Sequence, residues 1–76
     1  MSIVKIQSEI TGKVWKLILN QGSIVKDEDV ILVIESMKME IPVLSPREGV
    51  VEEVLVQEGE DVVEGQEIVY IRISEA

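Results

Sequence analysis

Six residues in the middle of the chain, Glu35-Ser36-Met37-Lys38-Met39-Glu40, have the types and spacing that suit chemistry. A lysine stands between two methionines, with glutamates beyond them on either side. Lysine supplies a primary amine, which becomes nucleophilic on losing its proton and can then be acylated. The apolar run Val30-Ile31-Leu32-Val33-Ile34 stops just before the hexapeptide, and Ile41-Pro42-Val43-Leu44 begins just after it. The lysine is therefore expected at the exposed apex of a tight turn between two strands. A lysine picked at random is an ordinary solvated side chain, but the flanks of Lys38 argue for more. In a tight turn neither Met37 nor Met39 can bury deeply, and flexible thioether side chains suit a surface that must fit several partners in turn. Glu35 and Glu40 are less informative, since charges beside a turn are commonly just solvated. The hexapeptide reads as a lysine presented to another protein for modification, with no catalytic residue of its own.

Composition narrows the alternatives. Seventy-six residues make one domain, 1–76, near the lower size limit at which a single core folds without staples. There is no cysteine and no histidine, so disulfides, the usual soft metal ligands and the commonest general base are missing. Asp27-Glu28-Asp29 lacks the alternating ligand spacing and the glycine of a calcium loop and reads as a solvated turn. No metal site and no self-sufficient enzyme is expected. A net charge of −8 opposes binding to nucleic-acid backbones and anionic lipid surfaces. The longest apolar run is far short of a membrane span, and Met1-Ser2-Ile3-Val4-Lys5 does not begin a signal peptide, so a cytoplasmic location is expected, and with no obvious oligomerisation patch a monomer is expected.

The elements that must hold the lysine are strands. Valine and isoleucine together number 24, against five leucines and one alanine. β-branched side chains fit a pleated surface and crowd a helical turn. No stretch keeps a helical apolar period, so the fold class is all-β. The expected strands are 3–7, 12–19, 30–35, 40–44, 50–56 and 67–73, separated by turn material such as Asn20-Gln21-Gly22 and Glu58-Gly59. Pro42 cannot donate to a ladder and should lie at an edge, a strand start or an irregularity.

A displacement of 37 positions sets Gly12 on Gly49, Val14 on Val51, Leu17 on Val54, Leu19 on Val56, Gly22 on Gly59, Val25 on Val62, Ile31 on Ile68 and Ile34 on Ile71. Two copies are too few for a solenoid, so they are expected to close on each other as a pseudo-twofold sandwich or barrel. The register places Lys38 opposite Glu75, with both chain ends away from the hairpin. Inward positions spaced three and then two (Val14, Leu17, Leu19; Val51, Val54, Val56) predict a bulge in each copy. Trp15 falls opposite Glu52 and is expected at the surface or rim.

The hexapeptide closely resembles the biotin-attachment motif of biotin carboxyl carrier proteins and of the biotinyl domains of acyl-CoA carboxylases. The resemblance extends over essentially the whole chain, through Gly12 and Gly49, the turn glycines Gly22, Gly59 and Gly65, and the lysine midway between the halves. It is most like that of a stand-alone biotin/lipoyl attachment protein. The resemblance implies a flattened barrel of two four-stranded antiparallel sheets, with biotin joined covalently to Lys38. Met37 and Met39 would be read by a biotin protein ligase and by partner enzymes, with Glu35 and Glu40 as weaker flanking contacts. The implied role is a carrier moving carboxyl groups between biotin carboxylase and carboxyltransferase subunits. Lipoate on the same lysine, in a 2-oxoacid dehydrogenase-type complex, is the nearest alternative, although lipoyl domains usually place aspartate before the lysine. An unmodified β scaffold is another. The chain departs from the family pattern in having Ser36 where alanine is commoner, Ser8-Glu9-Ile10-Thr11 where a proline is usual, and Glu28 where the second copy has Gly65.

Overall fold

The computed structural model describes residues 2–73. Eight strands form: β1 (Ser2–Gln7), β2 (Gly12–Leu17), β3 (Ile24–Val25), β4 (Val30–Ser36), β5 (Met39–Leu44), β6 (Gly49–Val54), β7 (Asp61–Val62) and β8 (Glu67–Ile73). They make two four-stranded antiparallel sheets, ordered β1-β8-β6-β3 and β5-β4-β2-β7. The body is elongated, 40 × 19 × 17 Å. Six strands agree with the expected runs to within two residues at either end. The two-residue strands β3 and β7 are absent from the runs read in the residue pattern, although the resemblance implies eight strands in all. They are too short to show an alternation and are defined by their partners, β6 and β2.

The 37-residue displacement carries each of β1 to β4 onto β5 to β8 with identical bounds. Loops follow the same rule. Ser8 Oγ donates to the Ile10 carbonyl at 2.6 Å, as Ser45 Oγ does to that of Arg47 at 2.6 Å. The Gly22 N–H donates to the Val51 carbonyl and the Gly59 N–H to that of Val14. Each of these last two bonds joins one copy to the other, and so do the β2–β7 and β3–β6 pairings. The copies are interleaved, and neither has a core of its own. Buried positions recur in pairs, Val14 with Val51, Val25 with Val62, Ile31 with Ile68, Leu32 with Val69 and Ile34 with Ile71. Burial of these β-branched side chains drives the two sheets together.

The expected bulges are present. Pairing slips between Val14 and Lys16 in β2 and between Val51 and Glu53 in β6, leaving Trp15 and Glu52 as the extra residues. Trp15 is 48% exposed, as its match to Glu52 implied. Strand β2 ends at Leu17, two residues short of the expected bound, because the Ile18 and Leu19 amides both donate to the Ile31 carbonyl and the chain leaves the ladder there. Pro42 lies in β5, the edge strand of its sheet, so its missing N–H costs no ladder bond. Ser2 pairs with Ile73, which is the counterpart of the hairpin pair Met39–Ser36. Glu75, opposite Lys38 in the same register, and the chain ends lie outside the described residues.

Candidate functional site

Strand β4 ends at Ser36 and β5 begins at Met39, so only Met37 and Lys38 form the turn. Their φ angles are 53° and 66°. Positive φ at both central residues is the pattern of the two-residue turn whose twist matches that of paired strands. Such positions usually go to glycine or asparagine, and a bulky residue there costs about 1–2 kcal/mol. Here the turn is made by a methionine and a lysine.

The side chains gain nothing from burial in return. Met37 is 92% exposed and Met39 62%. Lys38 is exposed, and among the described residues its amine has no hydrogen bond and no ion pair. The turn is held from its foot. Ser36 pairs with Met39, Glu35 with Glu40 and Ile34 with Ile41, and Ile34 is buried in the core. Ser36 Oγ donates to the Thr11 carbonyl at 2.9 Å. Gly12 lies close beneath the end of β4, where a Cβ would stand 2.5 Å from the Glu35 carbonyl oxygen and 2.9 Å from Ile34 Cγ2. Only glycine lets the two backbones approach so closely.

All six motif residues are therefore brought together by one hairpin. Glu35 and Glu40 face one another across it, and Glu35 also neighbours Lys13 on β2, whose Nζ is 4.0 Å from Asp61 Oδ1 on β7. The two glutamates belong to a charged row crossing the sheet and do not restrain Lys38. Surface depressions of about 500, 460 and 250 Å³ are lined by residues other than 35–40. Among the described residues no group of three or more His, Cys, Asp or Glu could hold a metal ion. Chemically, the site is an open amine on a strained turn between two exposed thioethers. That fits an acyl acceptor whose carboxyl donor is activated elsewhere. The contacts at the hairpin foot, Ser36 to Thr11 and Gly12 beneath Glu35, were not read from the sequence. The serine in place of the commoner alanine was the one visible signal.

The family model described as "Biotin-requiring enzyme" matches residues 3–71. The chain is 39% identical over 57 residues to a biotin/lipoyl attachment protein of Bacillus subtilis, covering 75% of this chain and 78% of that one. It is 35% identical over 66 residues to a Mycobacterium leprae protein described as a homolog of biotinylated protein TB7.3, covering 87% of this chain and 92% of that one. Among solved structures, the urea carboxylase of Kluyveromyces lactis superposes with a TM-score of 0.89 at 30% identity. That match takes in 95% of this chain and 6% of the carboxylase.

Proposed function

The chain belongs to the biotin/lipoyl attachment family, and we propose that it is a non-catalytic carrier bearing biotin as an amide on Nζ of Lys38. The observation that carries this reading is the exposed amine at the apex of the hairpin, between Met37 and Met39, which has no partner among the described residues. A relative described as a homolog of a biotinylated protein, and a segment of a carboxylase that shares this fold, support biotin as the group carried.

In the attachment step a biotin protein ligase supplies biotin as its acyl-adenylate. The neutral Lys38 amine attacks the acyl carbonyl, the C–N bond forms, the bond to AMP breaks, and the surplus amine proton passes to solvent. The chain contributes accessibility and orientation, since the activation belongs to the ligase. Met37 and Met39 are the adaptable apolar contacts for the ligase and later partners, and Glu35 and Glu40 are weaker polar ones at the hairpin foot. Once bound, biotin supplies a ureido nitrogen that accepts a carboxyl group, which is chemistry of the cofactor and not of this fold. Tethering replaces diffusion with high effective concentration, so one arm serves both a biotin carboxylase and a carboxyltransferase. We place this exchange in the cytoplasm, with the carrier acting as a monomer.

Lipoate is the second reading, favoured by the dual description of the Bacillus relative. Against it stands Met37, where lipoyl domains usually have aspartate. Intact mass of the protein from cells supplied with both cofactors tests the choice. A biotin increment is expected, and Lys38→Arg should abolish it. A lipoyl increment would exchange the cofactor and partner class, and an unmodified lysine would overturn the carrier reading.

A further inference from the structure

Most of the turn hydrogen bonds repeat between the two copies, and two at the foot of the lysine hairpin are among those that do not. Ser36 Oγ donates to the Thr11 carbonyl at 2.9 Å, and Thr11 Oγ1 accepts from the Glu64 N–H at 3.1 Å. At the equivalent positions of the second copy stand Ile73 and Glu48, so no hydroxyl is available there.

We propose that Ser36 and Thr11 form a clamp confined to the lysine end, in which Ser36 is a positioning residue holding the Met37–Lys38 turn in the shape a biotin protein ligase engages. The proposal rests on the reading of Lys38 as the attachment site. Three features make the hairpin loose without such a clamp. Its two central residues have positive φ, and Met37 is 92% exposed, so packing does not hold the turn. Glu35 and Glu40 are like charges placed directly opposite, which weakens a strand pair. Strand β5 is an edge strand, paired on one side only.

Against these, the Ser36 hydroxyl is the side-chain hydrogen bond that joins residues 35–40 to another element among the described residues. Its acceptor is well anchored. Thr11 precedes Gly12, whose close packing beneath Glu35 fixes the local backbone, and its own hydroxyl is tied to Glu64 in the turn before β8. The bonds run in series from the lysine turn through Thr11, just before β2, to the turn between β7 and β8 in the second copy.

Removing the hydroxyl leaves the hairpin paired but opens it more often. In Ser36→Ala, amide hydrogen exchange at Met39, which pairs with residue 36 at the end of the ladder, should quicken roughly fivefold, the change expected from losing one ordinary hydrogen bond. Steady-state biotinylation by a biotin protein ligase with ATP should show KM raised by up to roughly the same factor and kcat unchanged, because fewer molecules present a competent turn at any instant. Ser36→Thr should restore both values, and Thr11→Val should shift both in the same direction by less. Circular dichroism on each variant confirms that the sheets are retained. Unchanged exchange in Ser36→Ala would overturn the clamp, and so would quicker exchange with an unchanged KM or with the loss in kcat. If exchange quickens while the native protein accepts no biotin, the clamp stands as a structural device, and its role toward the ligase falls together with the carrier reading.

Discussion

Across the second sheet at the lysine end run Glu40, Glu35, Lys13 and Asp61, and the same four positions of the first sheet are Ile3, Arg72, Val50 and Ile24. The two rows share backbone register residue for residue. One is wholly charged, and the other is apolar but for one arginine, with Ile24 75% exposed. Beneath them the buried pairs Val14/Val51 and Ile34/Ile71 are the same or nearly the same residue. Duplication has been kept where side chains must fit each other and lost where they face solvent. The lysine, its methionines and the Ser36 hydroxyl all lie in the part that has diverged.

The largest stability effect is expected at the matched glycines. Gly12→Ala and Gly49→Ala each press a Cβ into a carbonyl oxygen of the adjacent strand, that of Glu35 or of Arg72, and backbone cannot yield as a side chain would. Each should cost about 1–3 kcal/mol in denaturant unfolding. Only Gly12→Ala should also slow biotin uptake, because only it displaces the foot of the lysine hairpin. Equal slowing in both would show that the two ends are not functionally distinct.

A smaller effect tests a place where the copies differ in residue but not in backbone. Glu28 has φ of 72° where Gly65 has 89°. Glu28→Gly should stabilise the chain by about 0.5–1 kcal/mol, since relief of the left-handed strain exceeds the added freedom of the unfolded chain. Gly65→Ala should lose about 1 kcal/mol. Denaturation midpoints moving in the same direction would break the equivalence of these turns.

The smallest effect concerns pH. Tyr70 OH donates to Glu67 Oε1 at 2.5 Å. That bond, then burial and the charges of Glu67 and Glu53, push the phenol above its ordinary value. The folded chain holds this proton more tightly than the unfolded one. Stability is therefore unaffected below the ordinary tyrosine pKa of about 10 and falls as pH rises from there through the folded value. Tyr70→Phe should remove this alkaline loss in melting curves recorded from neutral pH upward. The counterpart position holds Val33, so the first copy shows no such dependence.

Much of this was legible from β-branched residues at alternate positions and from the glycines. The repeat gave the pseudo-twofold, and the uneven spacing of Val14, Leu17 and Leu19 gave the bulge at Trp15. The match of β1 to β5 was not seen, because Ser2–Gln7 and Met39–Leu44 share little beyond the apolar alternation that any edge strand shows. Strands β3 and β7 exist only through long-range partners. The lysine was identified from its neighbours, but the means of holding it was not. A serine hydroxyl reaching a carbonyl 25 residues away shows in the local pattern only as a serine where alanine is commoner, which does not name its partner.

The interleaving of the copies also bears on how the chain folds. Strand β8 lies between β1 and β6, and its partners extend back to Ser2. Contacts so distant in sequence form late and slowly. Residues 35–40 are made before β7 and β8, whose pairing completes the sheets around them. An enzyme that recognises the finished hairpin would therefore wait on the pairing of β8, and the folding rate would be felt before the rate of acylation.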